Sequence, residues 1–156
     1  MTATRRVSSD APWEQIVGYS RAVAAGDYIF VTGSTSVSRG EIVHEGNAGA
    51  QLTQAIANVE AALVKLGAAL TDVVRTRLFV TDITRWAEIG EAHKAAFGDV
   101  LPATTMVQVA ALIDPRLLVE IEAVAYKPGI GAAAAAAGPD EDSDERRAAA
   151  PGLGWP

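Results

Sequence analysis

Residues 102–127 read PATTMVQVAALIDPRLLVEIEAVAYK, and their pattern decides the fold. Pro115 cannot donate to a sheet ladder and Asp114 favours a turn, so the stretch divides into two strands around Ile113-Asp114-Pro115-Arg116. In the second strand Val119, Ile121, Ala123 and Ala125 alternate with Glu120, Glu122, Val124 and Tyr126. A side-chain period of two puts both carboxylates on one face. Two acids on a largely apolar strand are too costly for a dry core. The face is wet, or cations meet it, or it does chemistry, and on pattern alone a solvated or ion-paired face is the first reading.

Immediately upstream lies a strand–helix unit. In Asp72–Thr81, DVVRTRLFVT, the residues Val74, Thr76, Leu78 and Val80 alternate against Arg75, Arg77 and Phe79, which predicts a strand with two arginines on its second face. A helix is expected from about Arg85 to Phe97, capped by Thr84 and ended by Gly98, with Trp86, Ile89, His93 and Phe97 at helical spacing. Before these, Leu52, Ile56, Val59, Leu63 and Leu66 form one stripe of an amphipathic helix, with Asn47 as N-cap and Gly67 as stop. Nearer the N-terminus, Ser20–Ala25 and Tyr28–Gly33 flank Gly26-Asp27 as a hairpin, after a short strand at Arg6-Val7-Ser8. Small residues at Gly33-Ser34-Thr35-Ser36 end the hairpin, and Ser38-Arg39-Gly40 reads as loop.

The order is strand, strand, strand, helix, strand, helix, strand, strand. It predicts a two-layer α+β domain, a six-stranded mixed sheet with two helices on one face. The face bearing Arg75, Arg77, Glu120 and Glu122 also carries Phe79, Val124 and Tyr126, and it needs a cover. An oligomer would supply one.

A chain of 156 residues is one domain by length, with enough chain for a real core. Its sequence divides into a domain over residues 1–128 and a tail over 129–156 in which an alanine run is followed by Asp140–Arg147 and then Gly and Pro. The tail has no apolar period, so disorder is expected there. There is no cysteine, which excludes disulfides and thiolate chemistry and fits a reducing cytoplasm. The formal charge of −6 argues against a nucleic-acid surface. No apolar run reaches membrane-spanning length.

Familiar chemical motifs are sparse. No phosphate-binding glycine loop and no GxSxG occurs. His44 and His93 are too far apart in sequence to suggest a metal site, and a satisfied core or interface histidine is the expectation for His93. Thr104 and Thr105 offer hydroxyls without an evident basic partner, so structural strand threonines are expected. No metal and no cofactor is expected.

Taken together, the Gly18-Tyr19 pair, YIFVTG, QLTQAIANVEAALVKLGA, DVVRTRLFVTDI, PATTMVQVAAL and VEIEAVA resemble the Rid family, the YjgF-type enamine/imine deaminases. The resemblance implies a chorismate-mutase-like homotrimer with small-molecule clefts between neighbouring subunits. It also implies hydrolysis of enamines or imines, such as 2-aminoacrylate, to keto acids and ammonia. Glu120 matches the family glutamate that places the hydrolytic water. Tyr19, Gly33, Ser34 and Phe97 match cleft positions, as do Thr104, Thr105 and Met106 in the PATTM motif. Thr104 stands where deaminating members carry an arginine that clamps the substrate carboxylate, and Met106 where many have cysteine. A hydroxyl cannot replace a bidentate charged pair. Arg75 or Arg77 would compensate only if not already paired to Glu120 and Glu122, and pairing is the expectation. Two functions stay open: an enzyme acting on an enamine, imine or related reactive nitrogen compound, or a non-catalytic ligand-binding or regulatory trimer. A ribonuclease role is disfavoured by the acidic charge.

Overall fold

The computed structural model of the chain describes residues 4–9 and 11–136. Its elements are β1 (Thr4–Val7), α1 (Pro12–Val17), β2 (Ala22–Ala25), β3 (Tyr28–Ser34), β4 (Val37–Ser38), β5 (Glu41–Ile42), α2 (Ala48–Lys65), β6 (Val73–Val80), α3 (Trp86–Phe97), β7 (Ala103–Gln108), β8 (Val119–Tyr126) and α4 (Ile130–Ala136). Six strands form one mixed sheet, as the sequence predicts, in the order β1-β2-β3-β8-β6-β7. Only β6 and β7 are parallel, joined across α3; every other neighbour is antiparallel. The last strand, β8, is thus inserted between β3 and β6, so the stretch that opened the reading lies at the sheet centre.

The core sits between this sheet and helices α2 and α3. Asn47 caps α2 by accepting the Ala50 N–H, and the helix closes on Gly67 at φ 84°. There Gly67 N–H donates to Val64 O and Ala68 N–H to Leu63 O, the paired bonds that satisfy a helix end around a left-handed glycine. The whole predicted stripe, Leu52, Ile56, Val59, Leu63 and Leu66, is buried. Each such side chain contributes about 1.5–3 kcal/mol by leaving water. Opposite it lie Ile29 and Val31 of β3, Leu78 and Val80 of β6, and Val119, Ile121, Ala123 and Ala125 of β8. Gln51 is a buried polar group in this layer. Its amide donates to Arg116 O and accepts from Leu118 N–H, which pins the loop before β8 onto α2.

Several local expectations are corrected. The sheet register slips between Val73 and Arg75, so Val73 points inward and Val74 is exposed. Asp82, not Thr84, caps the entry to the second helix: it accepts from Thr84 N–H and opens a 3-10 turn over Ile83–Arg85 that leads into α3. Trp86, expected on the same stripe, is exposed at the first residue of α3, whereas Ile89 and Phe97 are buried. Arg39-Gly40, read as loop, is the turn of the small β4–β5 ribbon, both residues having positive φ. The described residues hold two further helices. Short α1 begins at Pro12, and α4 packs against β1 and β2 with Ile130 buried and Gly131 against the Gly26 backbone. Structure therefore continues past Pro128; the expectation of disorder for residues 137–156 lies outside the described residues.

Candidate functional site

Glu120 sits on the sheet face turned away from α2 and α3, where the alternation of β8 placed it. Its neighbour across β3 is Gly33, at a register slip between Val31 and Ser34. A Cβ on Gly33 would lie 1.8 Å from Glu120 Oε1, so the glycine is the space the carboxylate occupies. No hydrogen bond or ion pair holds that carboxylate among the described residues. Burial pushes its pKa up, the Glu122 charge adds to this, and Arg21 opposes it. An under-solvated carboxylate without a partner accepts a water O–H or a ligand N–H readily.

Arg21, which sequence reasoning missed, organises this half of the site. Its guanidinium donates to Gly33 O at 2.8 Å and to the Tyr19 hydroxyl at 3.3 Å, and it lies 3.5 Å from Ser34 Oγ and 5.6 Å from the centre of the Tyr19 ring. Behind it stands Glu14, a buried carboxylate at the start of α1 that accepts from Ser8 Oγ, Ser9 Oγ, Ser9 N–H and Arg21 Nε. Burial alone would raise the Glu14 pKa, but the Ser8 and Ser9 hydrogen bonds and the Arg21 charge outweigh it and hold the carboxyl below its ordinary range. Arg21 is thereby neutralised from behind and fixed in place. The available signal was the YSR triplet beside the glycine–tyrosine pair, where an arginine next to a strand needs a nearby acid; nothing in the spacing showed that Glu14 would supply it.

Ser34 is buried, and its hydroxyl donates to Thr32 O. The chain after it is clamped by Asn58 of α2, whose amide donates to Thr35 O and Val37 O. The candidate arginines behave differently from one another. Arg77 pairs with Glu122 directly across β6 and β8, as expected. Arg75 faces Val124, and among the described residues it has no ion-pair partner. Neither reaches Glu120.

The PATTM residues lie elsewhere. Thr104 pairs in register with Thr76 and Met106 with Leu78, on the helix side of the sheet, whereas Thr105 pairs with Arg77 on the opposite face. Thr104 and Phe97 border an open cavity of about 240 Å³ together with His93, Lys94, Gly98, Leu101 and Pro102. Phe97 itself is buried, its ring 4.8 Å from the His93 imidazole. Within one chain the eight candidate residues therefore form two half-sites on opposite faces: Tyr19, Gly33, Ser34 and Glu120 in one, Phe97 and Thr104 in the other. Thr105 sits on the Glu120 side and half-buried Met106 on the Thr104 side. Thr104 has no direct basic partner among the described residues, but Thr76 links it to His93. His93 Nε2 is 3.0 Å from Thr76 Oγ1, which is 2.9 Å from Thr104 Oγ1. Among the described residues no group of three or more metal-ligating side chains converges, and no helix is long and apolar enough to cross a membrane.

The fold is an α+β domain with one six-stranded mixed sheet, bearing a carboxylate over a glycine on one face and the cavity at Thr104 on the other. Residues 9–127 match the family described as Endoribonuclease L-PSP, and the chain belongs to that family, which includes the YjgF and RutC proteins. Among solved structures it is similar to Rv2704 of Mycobacterium tuberculosis, a YjgF/YER057c/UK114 family member, with 49% identity and a TM-score of 0.74 over 80% of this chain and 100% of that one. It is 38% identical to a RutC family protein of Pyrococcus abyssi over 70% of this chain and 86% of that one. It is also 34% identical to the human 2-iminobutanoate/2-iminopropanoate deaminase over 83% of this chain and 96% of that one.

Proposed function

We propose that the chain assembles as a homotrimer and acts in a cleft between subunits on an enamine, imine or related reactive nitrogen compound. The observation that carries this reading is the partnerless carboxylate of Glu120 seated over Gly33. Assembly follows from the two half-sites. They lie on opposite faces of one sheet, so a single ligand meets both only if they come from two copies. The outward face also presents Tyr28, Phe30 and Tyr126 as exposed, contiguous aromatics, the surface an oligomer covers.

In the reaction, Glu120 takes a proton from a water as that water attacks the C=N carbon. Glu120 passes that proton to nitrogen, giving a carbinolamine; it then takes the carbinolamine hydroxyl proton as C=O forms and C–N breaks, and this second proton goes to the departing nitrogen, so ammonia and a carbonyl compound leave. The relative acting on 2-iminobutanoate and 2-iminopropanoate lends support to this chemistry. The substrate differs in its handle. Arg21 is held by Glu14, Arg77 by Glu122, and Thr104 is neutral; Arg75 has no ion-pair partner among the described residues, but it stands opposite Val124 and does not reach Glu120, so no guanidinium at the Glu120 carboxylate or at Thr104 is placed to clamp a substrate carboxylate. An imine without a carboxylate is the class that fits.

Ammonia release is the test. It would be followed with 2-iminobutanoate generated in place by a threonine dehydratase, and in parallel with a simple aliphatic imine lacking a carboxylate. Faster release from the uncharged imine, with only slow release from the imino acid, is expected. No release from either, with ligand still retained by the trimer, would instead favour a non-catalytic binding protein.

A further inference from the structure

The cavity at Thr104 is wired to a titratable group, and nothing in the Glu120 half-site uses it. Thr76 is fully buried in the middle of β6, beneath α3. A valine would fill the same space, but the hydroxyl is engaged on both sides, with His93 Nε2 at 3.0 Å and Thr104 Oγ1 at 2.9 Å. Thr104 in turn donates to Pro102 O at 3.0 Å, and its side chain lies at the exposed edge of the sheet. A hydroxyl has one hydrogen and two lone pairs, so each fixes the direction of the next. With the Thr104 hydrogen on Pro102 O, Thr76 must donate to Thr104, and His93 Nε2 must be the donor to Thr76. Nδ1 is left to exchange protons.

We propose that His93, Thr76 and Thr104 form a proton relay whose outer end, the Thr104 hydroxyl, exchanges a proton with the ligand in the cavity lined by Lys94, Phe97, Leu101 and Pro102. The inference rests on the reading of this cavity as one half of a ligand cleft. A proton arriving at His93 Nδ1 displaces the Nε2 proton onto Thr76. The Thr76 proton moves to Thr104, and the Thr104 proton leaves Pro102 O for the ligand nitrogen or carbon. Counting the arrival at Nδ1, four bonds to hydrogen break and four form; one proton enters at Nδ1 and another leaves from Thr104, so His93 ends as the Nδ1–H tautomer and no electrons are exchanged. Run backwards, the same chain removes a proton from the ligand. Thr104 is the group that touches the ligand, while Thr76 and His93 act through it.

The surroundings suit this task. Burial keeps the His93 imidazole neutral to lower pH than usual, and among the described residues no carboxylate is hydrogen-bonded to it. Lys94 lines the same cavity from the next position of α3. From β6, Arg75 and Arg77 belong to the other sheet face. From the turn packed on α3, Asp72 is engaged by Lys127. The groove between α2 and α3 is lined by Thr53, Ile56 and alanines, with no charge.

The relay makes a prediction that a merely structural histidine does not. Ring-nitrogen NMR of the full chain, with His44→Gln to assign the two histidines, should find His93 as the Nε2–H tautomer. Thr76→Val should lower its titration midpoint. Thr104→Val should also move the Nε2 resonance, although Thr104 does not touch the ring, and Thr76→Ser should restore both. A His93 held as the Nδ1–H tautomer, or one indifferent to Thr104→Val in a folded protein, would overturn the relay. In the ammonia assay Thr76→Val should lower kcat by about 10²-fold or more, the usual share of acid–base catalysis, while Thr76→Ser keeps most of it. A wild-type protein that releases no ammonia would count against the cleft reaction alone, because the tautomer measurement decides the relay separately.

Discussion

Replacing Gly33 by alanine isolates the Glu120 half-site without touching the carboxylate itself. The new Cβ would stand 1.8 Å from Oε1 and 2.9 Å from Cδ, where real contacts do not fall below 3.0 Å. The carboxylate must therefore retreat by at least 1.2 Å, the difference between 3.0 and 1.8. The backbone can accept the change, because Gly33 is not among the residues with positive φ. Only the flexible end of a glutamate is in the way, and fewer unfolded conformations for alanine are worth about 0.4–1 kcal/mol. Stability should thus stay within about 1 kcal/mol, or roughly 2–4 °C in Tm for a chain of this size. Function should not survive as well, since a displacement of about 1 Å at a reacting group costs on the order of 10²-fold. The most direct assay is the carboxyl ¹³C titration of Glu120. In the parent protein it should titrate above an ordinary glutamate, because burial and Glu122 raise it. In Gly33→Ala it should fall back toward the ordinary value as the side chain moves into water. An unchanged Glu120 titration in a folded variant would refute the reasoning.

Two further expectations concern the scaffold. Glu14 has a lowered pKa when folded, so the unfolded chain binds the extra proton as pH falls. Its stabilisation should be complete above the ordinary glutamate pKa and fade as pH drops through the folded one, and Glu14→Gln should flatten this acid limb in melts taken across pH. Truncation after Ala136 should leave the melt unchanged, whereas truncation before Gly129 removes the buried Ile130 and should cost about 1.5–3 kcal/mol by denaturant titration.

Much of this was legible from alternation and caps. The β8 pattern put Glu120 and Glu122 on the face they occupy, and the 52–66 stripe located the core helix with both of its ends. What stayed hidden depended on contacts distant in sequence or on single-residue slips. The slip at Val74 reverses a face without altering composition. The link from His93 to Thr104 needs Thr76 as an intermediate, and alternation alone marked Thr76 as one more inward residue. The Arg21–Glu14 pair joins a strand to a helix too short to leave a periodic trace. The PATTM threonines read as neighbours in sequence, yet sheet pleating sends Thr104 and Thr105 to opposite faces.

The central claim is that Glu120 is a chemical group and not a structural ion-pair partner, and Glu120→Gln tests it most directly. The substitution keeps the shape and removes the charge. Glu120 has a raised folded pKa, so the folded chain binds more protons and stability falls as pH rises from the ordinary glutamate range through that folded value. Melts of the parent and the variant should therefore show equal or greater stability for Glu120→Gln at neutral pH, with ammonia release abolished. A loss of about 3–5 kcal/mol, the cost of breaking a buried ion pair, with ammonia release unchanged would contradict the account.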